Sequence, residues 1–118
     1  MNEPQFISAL SDCAYEIHDN AIRKGWWDGA QSDGEKIALI HSELSEALEA
    51  LRHGNPPDDK IPEYNGATAE LADAVIRILD MCEARGWPIA GAIVDKMKYN
   101  ATRPHRSEEH TSELQSQR

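Results

Sequence analysis

The chain has 118 residues, 40% of them hydrophobic and 28% charged, which suits one globular domain with a single core. Its formal charge of −9 argues against unaided binding to a nucleic-acid polymer or an anionic membrane. No apolar run reaches membrane-spanning length, and the opening Met-Asn-Glu-Pro lacks a signal-peptide pattern, so a cytoplasmic protein is expected.

Pro4 suits a first helical turn. Phe6, Leu10, Cys13, Ala14, Ile17 and Ala21 follow at helical spacing, which predicts a helix over 4–24 ending at Gly25. Trp26 and Trp27 then open a loop that lasts to Gly34. Two adjacent Trp are costly to leave in water: they either plug the end of a bundle, or at least one stacks on an aromatic ligand. Cys13 and Cys82 fall on apolar faces without a CxxC, and buried reduced thiols are expected.

The stretch Ile37 to Arg52 carries the most information. Ile37, Ile40, Leu44, Ala47, Leu48 and Leu51 recur at three- and four-residue steps, the period of an amphipathic helix, here predicted over 35–53. At about 100° per residue they share one arc, which Leu39 and Ala50 widen. Glu43 falls inside the widened arc, and Glu46 sits on its flank. A carboxylate among core-facing positions is costly unless something pairs with it. Two close anions repel, and a divalent cation with a taste for oxygen ligands, such as Mg²⁺, is the simplest remedy. ExxE alone is common on acidic helices, and a solvated face is the plainer account of it.

His53-Gly54 with Pro56 and Pro57 ends this helix. Residues 55–66 read as a connector stiffened by three prolines. A third helix is predicted over 67–85, with Thr68 as a candidate cap and Leu71, Ala74, Val75, Ile78, Leu79 and Cys82 on its apolar face. Glu70 and Asp73 lie three apart on one edge, and Asp73–Arg77 has the spacing of a helix salt bridge. The helix is apolar around more than half its circumference, from Leu71 through Ala72, Ala74, Val75, Ile76, Ile78 and Leu79. That exceeds what a small four-helix layer buries, so a homo-oligomer is expected.

Gly86-Trp87-Pro88 breaks the chain, and a fourth helix is predicted over 88–102 with Ile89, Ala92, Ile93 and Met97 facing in. Lys96, Asn100 and Arg103 align at i, i+4 and i+7. Two cations and an amide in a stripe can grip phosphate oxygens, or form ordinary solvated surface. The expected architecture is an all-α, four-helix bundle-like protomer over 1–106. Residues 107–118 are polar and without periodicity, and read as an appended tail outside the domain.

Residues 47–69 separate ExxE from ExxD. An antiparallel helical hairpin of that length could set Glu43, Glu46, Glu70 and Asp73 against one another. Four acids beside a basic stripe describe a site for a metal-bound polyphosphate. A carboxylate-bridged di-iron bundle would want Glu-x-x-His pairs, and neither His41 nor His53 stands three residues after a Glu.

At these positions the chain resembles the MazG-like, all-α nucleoside triphosphate pyrophosphohydrolases, relatives of the dimeric dUTPases and dCTP pyrophosphatases. H-S-E-L-S-E-A-L-E (41–49), E-L-A-D-A-V-I-R (70–77) and K-M-K-Y-N-A-T-R-P (96–104) carry the resemblance, with G-W-W-D (25–28) before them. From Ser107 the chain departs from the family pattern. The resemblance implies that Glu43, Glu46, Glu70 and Asp73 form the catalytic, Mg²⁺-binding set. Lys96, Asn100 and Arg103 would contact phosphates or sugar, with Tyr99 nearby, and Trp26 or Trp27 would bound a base pocket. It also implies dimers or tetramers that cleave a (deoxy)nucleoside triphosphate to monophosphate and pyrophosphate, in nucleotide-pool house-cleaning. The competing class is a non-catalytic helical oligomer that binds nucleotides or partner proteins.

Overall fold

The computed structural model describes residues 1–104. The tail expected over 107–118, and the domain edge at 106, lie outside them. The described residues form four helices: α1 (Glu3–Arg23), α2 (Asp33–Arg52), α3 (Gly66–Arg85) and α4 (Ile89–Ala101). None is long and apolar enough to cross a membrane.

Each helix end has a local cause. Asn2 accepts from the Gln5 N–H at the start of α1, with Pro4 in the first turn. Ser32 and Glu35 close a reciprocal capping box on α2. Asn65, and not Thr68, caps α3 by accepting from the Thr68 N–H at 2.8 Å. Gly86 ends α3 at φ +72°, a left-handed conformation that glycine adopts without a Cβ penalty. The proline-stiffened connector is ordered by backbone bonds from Gly66 N to Pro56 O and from Asp58 N to Tyr64 O. The Asp58 carboxylate also accepts from the N–H groups of Lys60 and Ile61.

α2 and α3 form an antiparallel hairpin. Arg85 Nε lies 2.6 Å from Asp33 Oδ1 at one end, and Gly66 lies against Ala50 at the other. α1 packs on α3, and α4 packs on α1, where Lys98 Nζ also meets Glu3 Oε1 at 3.0 Å. The helices therefore pack in the order α2, α3, α1, α4, with α3 sharing its largest contact with α2.

The buried apolar positions are small. Ala14, Ala21, Ala47, Ala67, Ala69, Ala74 and Ala90 outnumber Ile40, Leu79, Met81 and Val94. Small side chains let helix backbones approach closely, at the expense of apolar area removed from water. This core corrects three expectations. On α2 only Ile40 and Ala47 of the predicted arc are buried; Ile37, Leu44, Leu48 and Leu51 are 43–57% exposed. The reason is geometric, because one neighbouring helix covers only one side of so wide an arc. On α4 the covered residues are Ala90 and Val94, while Ala92 and Met97 are exposed and Ile89 and Ile93 half-buried. Cys13 is exposed, and only Cys82 is partly covered; burial raises the Cys82 thiol pKa above its usual range.

Candidate metal and nucleotide site

Near the middle of the α2–α3 hairpin, one carboxylate oxygen each from Glu43, Glu46 and Glu70 lie within 4.8 Å of one another. The helix period explains the convergence. Glu43 shares the covered edge of α2 with Ile40 and Ala47, and is only 8% exposed. Glu46 is one turn further and exposed. Glu70 is half-buried on the facing helix. Asp73 is exposed and outside this trio. It joins Glu43, Ile76, Arg77 and Trp26 around a cleft of about 140 Å³.

The electrostatics are those of crowded anions. Glu70 has its pKa raised from 4.5 to about 7, first by burial, then by the neighbouring Glu46 and Glu43 carboxylates. Asp73 is raised too, by burial and then by Glu43, with Arg77 opposing. Oε2 of Glu70 is buried with no hydrogen-bond partner. A buried oxygen without a donor calls for a proton or a cation. Three converging hard oxygen donors fit Mg²⁺ better than a softer metal, so the residues present suit such an ion.

Arg77 does not pair with Asp73, as its spacing suggested. Its Nε donates to Oε1 of Glu43 at 2.9 Å, across the hairpin. Glu43 is the better partner because its carboxylate is the more completely withdrawn from water, and so gains most from a cation.

Beyond Arg77 lies a second cleft of about 270 Å³, lined by Trp26, Gln31, Lys36, Leu39, Arg77 and Asp80. The tandem tryptophans divide their roles. Trp27 is held in place: its Nε1–H lies 3.0 Å from both oxygens of Asp80, and His18 stands edge-on to its ring. Lys36 Nζ covers the ring at 3.8 Å. Trp26 is 55% exposed and borders both clefts. Trp27 thus plugs the end of the helices, and Trp26 is the surface on which a ring could stack.

Asp80, His18, Lys36 and Arg77 escape a reading of the sequence for this site. Asp80 stood out in principle as a carboxylate seven residues past Asp73 in an apolar run. Its partner His18, with Nδ1 2.7 Å from Asp80 Oδ1, is 62 positions away, and no local pattern reveals that pairing.

The fourth-helix stripe holds together. Arg103 Nη1 donates to Asn100 Oδ1 at 3.1 Å, and Lys96 and Arg103 lie 5.3 and 5.7 Å from the Tyr99 ring centre. Among the described residues α4 packs chiefly on α1, whereas the acidic trio lies between α2 and α3. Comparison with protein-family models, with curated proteins and with solved structures gives no match.

Proposed function

We propose that this protein is a Mg²⁺-dependent nucleoside triphosphate pyrophosphohydrolase of the MazG-like kind, acting on a (deoxy)nucleoside triphosphate in nucleotide-pool house-cleaning in the cytoplasm. One observation carries the reading: an acidic cleft and an aromatic cleft meet at shared residues, Trp26 and Arg77. A nucleotide has the matching polarity, with phosphates at one end and a flat ring at the other.

In this reading Glu43, Glu46 and Glu70 hold the metal, with Asp73 at the rim. When bound, Mg²⁺ supplies charge to offset the phosphates and to acidify a water. One of the acids, with Asp73 at the rim the freest of them, would take the proton of that water. Arg77 keeps Glu43 oriented, and Trp26 gives the ring a face to lie on. Hydrolysis between the α- and β-phosphorus atoms then releases monophosphate and pyrophosphate.

Lys96, Asn100 and Arg103 reach the phosphates in this proposal from a second copy of the chain. The exposed heptad-like stripe of Ile37, Leu44, Leu48 and Leu51, with Leu71 and Val75 on α3, supports a homodimer or homotetramer. The packing of α4 chiefly on α1, with the acids between α2 and α3, also keeps a second reading in view, a nucleotide-binding oligomer without catalysis.

A panel of canonical and modified dNTPs with Mg²⁺, assayed for pyrophosphate, separates the two. Glu46→Gln and Asp73→Asn, folded by circular dichroism, should each lose orders of magnitude in rate. Near wild-type release by both variants would overturn the four-carboxylate site. Binding of a nucleotide without turnover by the wild type would leave the sensor reading.

A further inference from the structure

The hydrogen-bonding groups around the aromatic cleft are unbalanced. Lys36 brings three donors and no acceptor, and Arg77 brings five donors, one of them committed to Glu43. Gln31 offers both kinds. Asp80 is the only carboxylate among the lining residues, and it already accepts from Trp27 Nε1–H through both oxygens and from His18 through Oδ1. What remains unspent in the cleft is mostly donor.

Resting on the reading that a nucleotide ring lies beside Trp26, we propose that this cleft selects bases by an oxo edge. It takes uracil, thymine, guanine or hypoxanthine, and disfavours cytosine and adenine. The discriminating position is the exocyclic group on the pyrimidine C4 or purine C6. There uracil, thymine and guanine carry an acceptor oxygen, and cytosine and adenine carry a donor amino group. An oxygen meets the donors of Lys36 and Arg77. An amino group meets them donor to donor, and both sides lose hydrogen bonds that water had supplied. The ring N–H beside the oxo group is a donor, and it can turn to the Gln31 amide oxygen or to the remaining lone pair of Asp80 Oδ2. Lys36 is placed for this role because its ammonium is already fixed over Trp27 at 3.8 Å. Arg77 is fixed by Glu43.

The test uses binding without metal, so it does not depend on turnover. Quenching of tryptophan fluorescence is titrated with UMP, dTMP, GMP, CMP and AMP. UMP and CMP share ribose and phosphate, so their ratio isolates the ring edge. UMP is expected to bind roughly tenfold tighter than CMP, or more, with GMP favoured over AMP in the same sense. In Lys36→Met with Arg77→Met the UMP:CMP ratio should fall close to one. If that double variant does not fold, Lys36→Met alone should still lower the ratio at least about threefold. Equal or tighter binding of CMP or AMP by the wild type overturns the proposal, as does an unchanged ratio in the folded variants or no quenching by any of the five. Failure to release pyrophosphate from any triphosphate would overturn the enzymatic reading and leave the ratio to decide this one.

Discussion

Arg77 sets its Nε 2.9 Å from Oε1 of Glu43, a residue 34 positions earlier on the facing helix. The bond joins α2 to α3 at mid-hairpin and offsets one of three crowded negative charges. Arg77 is 42% exposed on its side chain and Glu43 only 11%, so the loss on breaking the pair falls chiefly on the glutamate. Arg77→Met should destabilise the metal-free protein by about 1–2 kcal/mol, below the range for a fully buried pair because water screens the arginine. A divalent cation should restore the variant more than it raises the wild type. Thermal unfolding with and without Mg²⁺ checks both halves.

Glu70 gives the metal-free protein a pH dependence of definite sign. Its carboxyl is held at about 7 in the folded chain against an ordinary 4.5, so between those values the folded state binds the extra proton. Stability should therefore be greatest on the acid side of this window, and be lost as pH rises from about 4.5 to about 7. Asp73, also raised, adds in the same sense. Glu70→Gln should flatten the unfolding temperature across that window. A slope as steep in the variant as in the wild type would remove Glu70 as its cause.

Two glycines should respond oppositely to alanine. A Cβ on Gly66 would stand 3.0 Å from the Cβ of Ala50 and 3.4 Å from the Pro56 carbonyl oxygen. Gly91 lies within α4, where a Cβ would meet nothing within 4 Å. Gly91→Ala should stabilise by about 0.5–1 kcal/mol through helix propensity. Gly66→Ala should destabilise, because the closed end of the hairpin must open to admit the methyl. Urea unfolding of the two single variants distinguishes them.

The apolar stripe on α2 leads to a test of assembly. Leu48 and Leu51 are 51% and 57% exposed, so a charge at either position costs an isolated chain little. Leu48→Glu with Leu51→Glu should shift light scattering toward the monomer while helicity persists. An unchanged mass would show that assembly, if any, uses another face.

The helices were legible because each apolar run keeps a 3.6-residue period and meets Gly or Pro at its ends. The start of α2 at Asp33, two residues before the predicted 35, was missed although Ser32-x-x-Glu35 has capping-box spacing. The desolvation of Glu43 followed from its place inside the α2 arc. Which part of each arc finds a neighbour was not legible. Ile40 is covered and Leu44 is not, although both fit the period, because coverage depends on where α3 crosses. α4 turns Ala90 and Val94 inward in place of Ala92 and Met97 for the same reason. The tie of Asp80 to His18 and Trp27 joins three separate segments, and periodicity carries information only within one.

The alanines between the helices have a consequence for how this sequence can drift. Ala67, Ala69 and Ala74 are all buried on α3, the helix that carries Glu70, Asp73, Arg77 and Asp80. A larger side chain at any of them acts as a wedge and moves the whole helix, because close-packed interiors give way by displacement. The acidic and aromatic clefts would then shift together, although none of these alanines lines either one. Tolerance to enlargement should thus run against intuition, with the smallest residues of the core the ones held most firmly.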